Sequence, residues 1–256
     1  MSQQEPAPAG NDAFAWARFN PDAYVEHYYG DPHPDDDRVV RLTCAALAAG
    51  AGGRRNLDVI DVGTGPNLFP WFAALPYAAR LSACEYAPSN VAWLRRELAG
   101  GKLRPQWRHF WNVARRAHAV GPGRADLPAN PIRLLHQRAT VLQGSIFDLP
   151  ARRWDAATMF FCAESITQRQ DEFERACAAF ARCVRPGGVL AAAFLAGSRG
   201  YSVDGEDYPA VSISAASLRT AFRGCAKHVH VTRIGAMGAE IRSGYSGMLF
   251  LRARAA

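Results

Sequence analysis

Apolar positions along the chain follow two rhythms. Short, mostly apolar runs occur at 57–62, 81–85, 140–144, 154–162 and 189–195, and two further strand-like stretches at 228–234 and 248–254. Runs this short and this apolar read as strands, the middle ones buried on both faces. Between them the spacing changes to three and four. Val39, Val40, Leu42, Ala45, Ala46 and Leu47 make one stripe, ended at Gly50. Val91, Leu94 and Leu98 make a second, with Ser89 placed to cap it. Phe173, Ala176, Cys177, Phe180 and Val184 make a third over 171–184, and Arg185-Pro186-Gly187-Gly188 ends it. Shorter helices fit 67–75 and a start at Ser214. The alternation predicts an α/β fold: a doubly wound sheet of seven strands, with helices linking the first six. The loop before the last strand is too short for a helical crossover, so that strand should run antiparallel.

Three stretches depart from the alternation. Residues 1–18 are rich in Pro, Ala, Gln and Gly and read as a flexible N-terminus. Residues 19–56 form a helical cap that opens on the aromatic segment Phe19–Tyr29, where Tyr24 and Tyr28 share a helix face. Those tyrosines either pack on the core or close over a ligand. Asp35, Asp36 and Asp37 suit a helix N-terminus. Residues 100–138 exceed an ordinary connection and predict an inserted helix with a loop, carrying Trp107, Phe110 and Trp111. A polar, Gly-rich loop is expected at 197–207. Residues 19–256 thus read as a single domain.

Composition narrows the function. The 256 residues, 49% hydrophobic, suffice for one sizeable core. The net charge of +7 is spread over scattered arginines with no interleaved basic–aromatic module, which argues against a nucleic-acid partner. Six cysteines without a C-x-x-C pair read as buried thiols. The histidines form no ligand pattern, and His228 and His230 fit a solvated strand face, so no metal is expected. No apolar run approaches the ~20 residues of a membrane span, and the N-terminus lacks a signal-peptide pattern. The expectation is a cytoplasmic protein, monomeric or weakly dimeric.

The chemistry concentrates between Leu57 and Glu85. A hydrophobic strand runs into Gly63-Thr64-Gly65-Pro66, and an acid, Glu85, ends the next strand about 20 residues on, the layout of a nucleotide-binding βαβ unit. The glycines allow a tight turn and close approach, and the carboxylate can accept both ribose hydroxyls. Leu68 occupies the position of the third small residue of a dinucleotide fingerprint, so a dehydrogenase is the weakest reading.

The Gly63-x-Gly65 turn, Glu85 and the Arg185–Gly188 turn, taken with an antiparallel last strand, resemble the S-adenosylmethionine-dependent methyltransferase fold. More narrowly, FNPDAYVEHYY at Phe19–Tyr29, DVGTGP at Asp61–Pro66, EYAPSN at Glu85–Asn90, FCAES at Phe161–Ser165 and the run Gly247–Arg254 resemble the nicotinamide, phenylethanolamine and indolethylamine (thioether) N-methyltransferases. The resemblance implies that S-adenosylmethionine is the cofactor and S-adenosylhomocysteine the product. It implies that Tyr24 and Tyr29 close over the cofactor, Tyr29 at the methionine carboxylate, with Gly63, Thr64 and Gly65 beneath it and Phe69 where the family often has tyrosine. Glu85 falls on the ribose, Tyr86 beside the adenine, and Asn90 near the ribose and methionine end. Ser145 and Ile146 stand where the family commonly has Asp-Val, with Asp148 a substitute for the missing carboxylate, and Phe160 lies beside the cofactor.

On the acceptor side the resemblance brings Glu164 to the substrate amine, either as a base or as an electrostatic anchor, with Phe161, Tyr201 and Tyr245 around it. Phe194 stands near a position where several members carry an acid, and Asp204 is a candidate to restore that charge. Glu164 and Tyr24 are the expected catalytic residues, Tyr24 by cation–π attraction to a sulfonium. The implied function is methyl transfer to a nitrogen of a small pyridine or amine. The alternatives are an O-methyltransferase of a small metabolite and a non-catalytic regulatory protein that binds S-adenosylmethionine.

Overall fold

The computed structural model describes residues 7–120, 127–235 and 241–256. Helix α1 (Pro21–Tyr29) begins where the Asn20 side chain accepts the Ala23 N–H at 3.2 Å, with proline in its first turn. Helix α2 (Pro34–Ala51) follows and ends on Gly52, in the left-handed conformation at φ +56°. The stop is therefore two residues past Gly50. Gly50 has another role: a Cβ there would lie 2.0 Å from Val189 Cγ2, so its hydrogen lets the helix lie directly on the sheet.

Next come β1 (Leu57–Val62), α3 (Phe69–Ala74), β2 (Ala78–Glu85), α4 (Pro88–Ala99), α5 (Pro105–Ala119), α6 (Ile132–Arg138) and β3 (Ala139–Gln143). Helix α4 starts from Ala87, and the Ser89 hydroxyl has no partner, so the expected serine cap is not formed. The chain continues through β4 (Trp154–Phe160), α7 (Gln170–Arg182), β5 (Val184–Leu195), the hairpin β6 (Gly200–Val203) and β7 (Glu206–Pro209), α8 (Ala215–Ala221), β8 (Ala226–Ile234) and β9 (Met248–Ala255).

Seven strands form one sheet in the order β3-β2-β1-β4-β5-β9-β8. Strands β1 to β5 pair in parallel, and β9 lies antiparallel between β5 and β8. Only a single 3₁₀ turn, Ile146–Asp148, joins β3 to β4, so the expected helix is missing from that crossover. Alternate residues of the central strands feed two cores. Val59, Val189, Ala191 and Ala193 pack with α2, α3 and α5, while Ile60, Val62, Leu190 and Phe194 pack with α7 and α8. The sheet is wound on both faces as expected, which leaves the strands' carboxyl ends free to carry a site.

Two expectations change. The Gly-rich stretch after β5 is a hairpin, turned at Asp204-Gly205 with φ of +51° and +81°, a pair suited to a two-residue turn. Residues 7–18 are tied down. The Asn11 N–H donates to Glu172 Oε2 at 2.8 Å, and Trp16 stacks on Tyr208 with ring centroids 5.1 Å apart. The segment 100–138 supplies Trp107, Phe110 and Trp111 to the core, and none of its described residues lines the main cavity. Residues 121–126 of the loop expected at 120–131 lie outside the described residues.

Candidate active site

A cavity of about 800 Å³, its open mouth included, lies across the carboxyl ends of β1, β2, β3 and β4. Its floor is the turn after β1. Gly63 (φ +62°) and Gly65 (φ +58°) both need the left-handed region. A Cβ on Gly63 would fall 2.1 Å from Cys162 Sγ, so the turn is pressed against the end of β4, whereas Gly65 has open space above it.

Glu85 ends β2 beside this turn. Its Oε2 accepts the Gly65 N–H at 2.7 Å, and its Oε1 accepts the Ala87 N–H at 2.8 Å and Asn90 Nδ2 at 3.3 Å. Burial raises its pKa while these donors lower it. Oε2 has further acceptor capacity, while Oε1 already accepts two hydrogen bonds, the Asn90 one long. Asn90 Oδ1 has no partner, an orphaned buried acceptor beside Glu85. Behind the turn, Asp61 accepts from Thr158 Oγ1 at 2.6 Å, and burial pushes its carboxyl up to about 7.

Aromatic rings make the roof and the far wall. Tyr24 packs on Tyr28 (4.6 Å) and Tyr29 (6.0 Å), and burial pushes the Tyr24 phenol up to about 12. The Tyr29 hydroxyl accepts from Asn67 Nδ2 at 3.3 Å. Phe161, at φ +53°, donates its N–H to Ala193 O at 2.7 Å, a strained backbone position at the end of β4.

Thirteen of the residues named from sequence line this cavity: Tyr24, Tyr29, Gly63, Thr64, Gly65, Glu85, Tyr86, Asn90, Ser145, Ile146, Phe160, Phe161 and Tyr201. The others lie elsewhere. Phe69 sits one layer back, fully buried, with its ring stacked on Phe160 at 5.3 Å. Glu164 is fully buried but faces the sheet. Its Oε1 accepts the Leu195 N–H at 2.9 Å, its Oε2 has no partner, and burial pushes the carboxyl up to about 7. Adjacent strand backbone thus turns it away from the cavity wall. Asp204 is exposed on the hairpin turn, where it accepts from Asn20 Nδ2 at 2.8 Å. Tyr245 packs in the core under α2. Asp148 is exposed and lines a different groove, beside β3.

The sequence reading missed Asn11, Trp16, Phe19, Asn67, Cys162, Ser165 and Arg242, which also line the cavity. Asn67 was within reach, since it directly follows the Gly65-Pro66 turn. Arg242 carried no signal, because it sits in an irregular loop.

A second cavity shares Tyr24, Tyr29, Phe161 and Arg242 with the first and is lined also by Glu26, Asp31 and Asp36. Burial, then the charges of Asp35 and Asp37, raise the Asp36 pKa from 3.8 to about 7. A carboxyl raised in the folded state keeps its proton at pH values where the unfolded chain has lost it. This contribution to stability is full below about pH 4, falls as pH rises to about 7, and is flat above. Asp36→Asn is expected to match wild type at pH 4. At pH 8 it should be more stable by up to ~4 kcal/mol, about 10 °C in Tm, measurable by calorimetric scans at the two pH values.

Comparisons with known proteins come from sequence and from fold. Over 189 residues the chain is 25% identical to the phenylethanolamine N-methyltransferase of Bos taurus, a match covering 69% of this chain and 66% of that protein. With the Homo sapiens enzyme of the same name it shares 26% over 191 residues, covering 70% and 67%. The match thus spans about two thirds of these relatives' length. In fold the chain resembles Synechocystis magnesium protoporphyrin IX methyltransferase with bound S-adenosylmethionine (TM-score 0.57, 14% identity, 93% of each chain). It also resembles Burkholderia thailandensis 1,6-didemethyltoxoflavin-N1-methyltransferase with S-adenosylhomocysteine bound (TM-score 0.54, 17% identity, 100% of this chain and 93% of that one). These likenesses agree with the doubly wound sheet and its antiparallel strand. A family model matches residues 9–256, nearly the whole chain, and by that match the protein belongs to the NNMT/PNMT/TEMT family.

Proposed function

We propose that the chain transfers a methyl group from S-adenosylmethionine to a nitrogen atom of a small molecule. The observation that carries the reading is Glu85, held at a strand end by the Gly65 and Ala87 N–H groups and presenting a carboxylate to the cavity above a two-glycine turn. A buried carboxylate with spare acceptor capacity suits vicinal ribose hydroxyls. The unpaired Asn90 Oδ1 beside it asks for a donor, and Gly65 has open space where backbone meets ligand. The residues present therefore fit the cofactor. Glu85 and Asn90 would hold its ribose, and Ile146 and Tyr86 would flank its base. Thr64, Tyr29 and Asn67 would take its amino-acid end. When bound, it supplies a methyl already activated as a sulfonium.

The protein's part is positioning. Tyr24, Phe160, Phe161 and Tyr201 enclose the space beyond the glycine turn in rings that favour a cation and exclude water. Holding two reactants at near-attack separation contributes ~7–11 kcal/mol. Among the described residues, Glu85 is the one carboxylate on this cavity's wall, and no histidine lines it. A hydroxyl acceptor needs a base to remove its proton before attack. An amine bound as its free base, or a pyridine, brings its own lone pair. That difference favours nitrogen over oxygen. With Glu164 turned into the sheet, a secondary role remains for it as a fixed support of the β4 end, and the acid on the acceptor side falls to Asp36.

The test is transfer of labelled methyl from S-adenosylmethionine to pyridines, arylethylamines and amino acids, with the methyl located by mass spectrometry. Methyl on nitrogen is the expected result. Methyl found only on oxygen, or cofactor binding without turnover on any acceptor, would reverse the reading. We further propose a small-molecule acceptor, a cytoplasmic setting and no nucleic-acid substrate. The small acceptor and the exclusion of nucleic acid are supported by the aromatic-lined cavity and the scattered arginines, and among the described residues no helix is long and apolar enough to cross a membrane.

A further inference from the structure

Arg242 is the least expected feature of the site. It is 5% exposed, and it lies on the wall shared by the two cavities. Its Cζ sits 4.0 Å from the Tyr201 ring centroid and 5.2 Å from that of Tyr28. One nitrogen, Nη1, donates to Ser165 Oγ at 2.9 Å, while Nε has no partner. Among the described residues no carboxylate lies within ion-pair distance of it, and the buried Glu164 carboxyl couples to it only from beyond that distance. Burying a cation without a counter-anion in contact is costly. Two aromatic faces and one neutral hydroxyl offset only part of that cost. The planar guanidinium has a donor set that matches a carboxylate. A second positive charge beside a sulfonium also makes sense only if an anion separates them.

The position says which molecule brings the anion. Gly63, Glu85 and Ser145 follow β1, β2 and β3, so the nucleoside end is recognised over that half of the sheet. Arg242 sits over the other half, packed on Ser165 beyond β4 and on Tyr201 of β6. Its second cavity is rimmed by Glu26, Asp31 and Asp36, which favour an amine. Building on the methyl-transfer reading, we infer that Arg242 binds a carboxylate on the methyl acceptor, so that the preferred acceptor is a nitrogen compound that also carries an acid group, such as an amino acid or a pyridine carboxylate. Tyr201 and Tyr28 hold the guanidinium between their rings, and Ser165 fixes its rotation about the long axis of the side chain.

The experiment is calorimetric titration of the full chain, saturated with S-adenosylhomocysteine, with three pairs: nicotinate and nicotinamide, phenylalanine and phenylethylamine, tryptophan and tryptamine. In at least one pair the carboxylate member should bind wild type about 100-fold more tightly. Arg242→Met should reduce that preference below about 5-fold, and Arg242→Lys should keep about a tenth of it. S-adenosylhomocysteine affinity should stay within about 3-fold in both variants. Should Arg242→Met fail to fold, the wild-type pairs and Arg242→Lys decide alone. If Arg242→Met weakens S-adenosylhomocysteine as much as it weakens the acceptor, the guanidinium serves the cofactor's own carboxylate and the inference falls. It falls also if the neutral member binds more tightly in every pair, or if none of the six binds. Failure of wild type to bind S-adenosylhomocysteine at all would instead remove the reading beneath it.

Discussion

Glu85→Gln is expected to weaken S-adenosylhomocysteine binding by about 100-fold or more while the chain stays folded. Its Oε2 accepts from Gly65 N at 2.7 Å, and its Oε1 from Ala87 N at 2.8 Å and Asn90 Nδ2 at 3.3 Å. An amide replaces one acceptor by a donor, which must then face an N–H or the ribose. Hydrogen bonds to a charged acceptor contribute ~1.5–3 kcal/mol each. The lost charge-assisted bond, together with the amide donor left facing an N–H or the ribose, therefore costs about 2.7 kcal/mol or more, a factor of 100. Isothermal calorimetry gives the affinity, and a thermal scan of the ligand-free protein separates lost binding from lost fold. Unchanged affinity would mean that the acid at the end of β2 only anchors the turn.

Gly63→Ala carries the largest expected effect on stability. Two penalties combine there: a backbone at φ +62° and a Cβ placed 2.1 Å from Cys162 Sγ. Left-handed backbone costs ~1–2 kcal/mol for a residue with a Cβ, and overpacking a filled core costs ~1–3 kcal/mol. The expected loss is ~2–5 kcal/mol, with cofactor binding abolished because the turn must move. Gly65→Ala provides the contrast, since its φ is +58° but nothing lies within 4 Å. It should cost only ~1–2 kcal/mol of stability and act mainly by filling cavity space. Cys162→Gly should restore part of the Gly63→Ala loss by removing the clashing atoms. No recovery in that double variant would mean that the backbone, not the contact, sets the penalty.

Legibility followed range along the chain. The Gly63–Gly65 turn and Glu85 could be read because their chemistry depends on local spacing: a strand, a turn and the tip of the next strand. The sheet could be read for the same reason, since its central strands are short, mostly apolar runs. Glu164 shows the limit. A family position located it at the right strand end, but its direction is set by the Leu195 N–H of the neighbouring strand, 31 residues away. Composition alone predicts flexibility for residues 7–18 because it describes what a segment can bury by itself. Trp16 packs its ring on Tyr208, a partner supplied by a hairpin whose sequence reads as loop. That hairpin's Asp204-Gly205 turn was visible in the sequence, yet surrounding glycines and polar residues hid the two short strands. Arg242 has no local pattern at all. Its meaning arises only where Tyr28, Ser165 and Tyr201 converge on it.

The central claim is that the turn after β1 and the acid after β2 form a nucleoside site for a sulfonium cofactor rather than for a dinucleotide. One titration tests it directly: calorimetry of the full chain with S-adenosylhomocysteine, and with NAD as the competing nucleotide. One-to-one binding of S-adenosylhomocysteine, with no heat from NAD, is the predicted result. Binding of NAD with none of S-adenosylhomocysteine would contradict it.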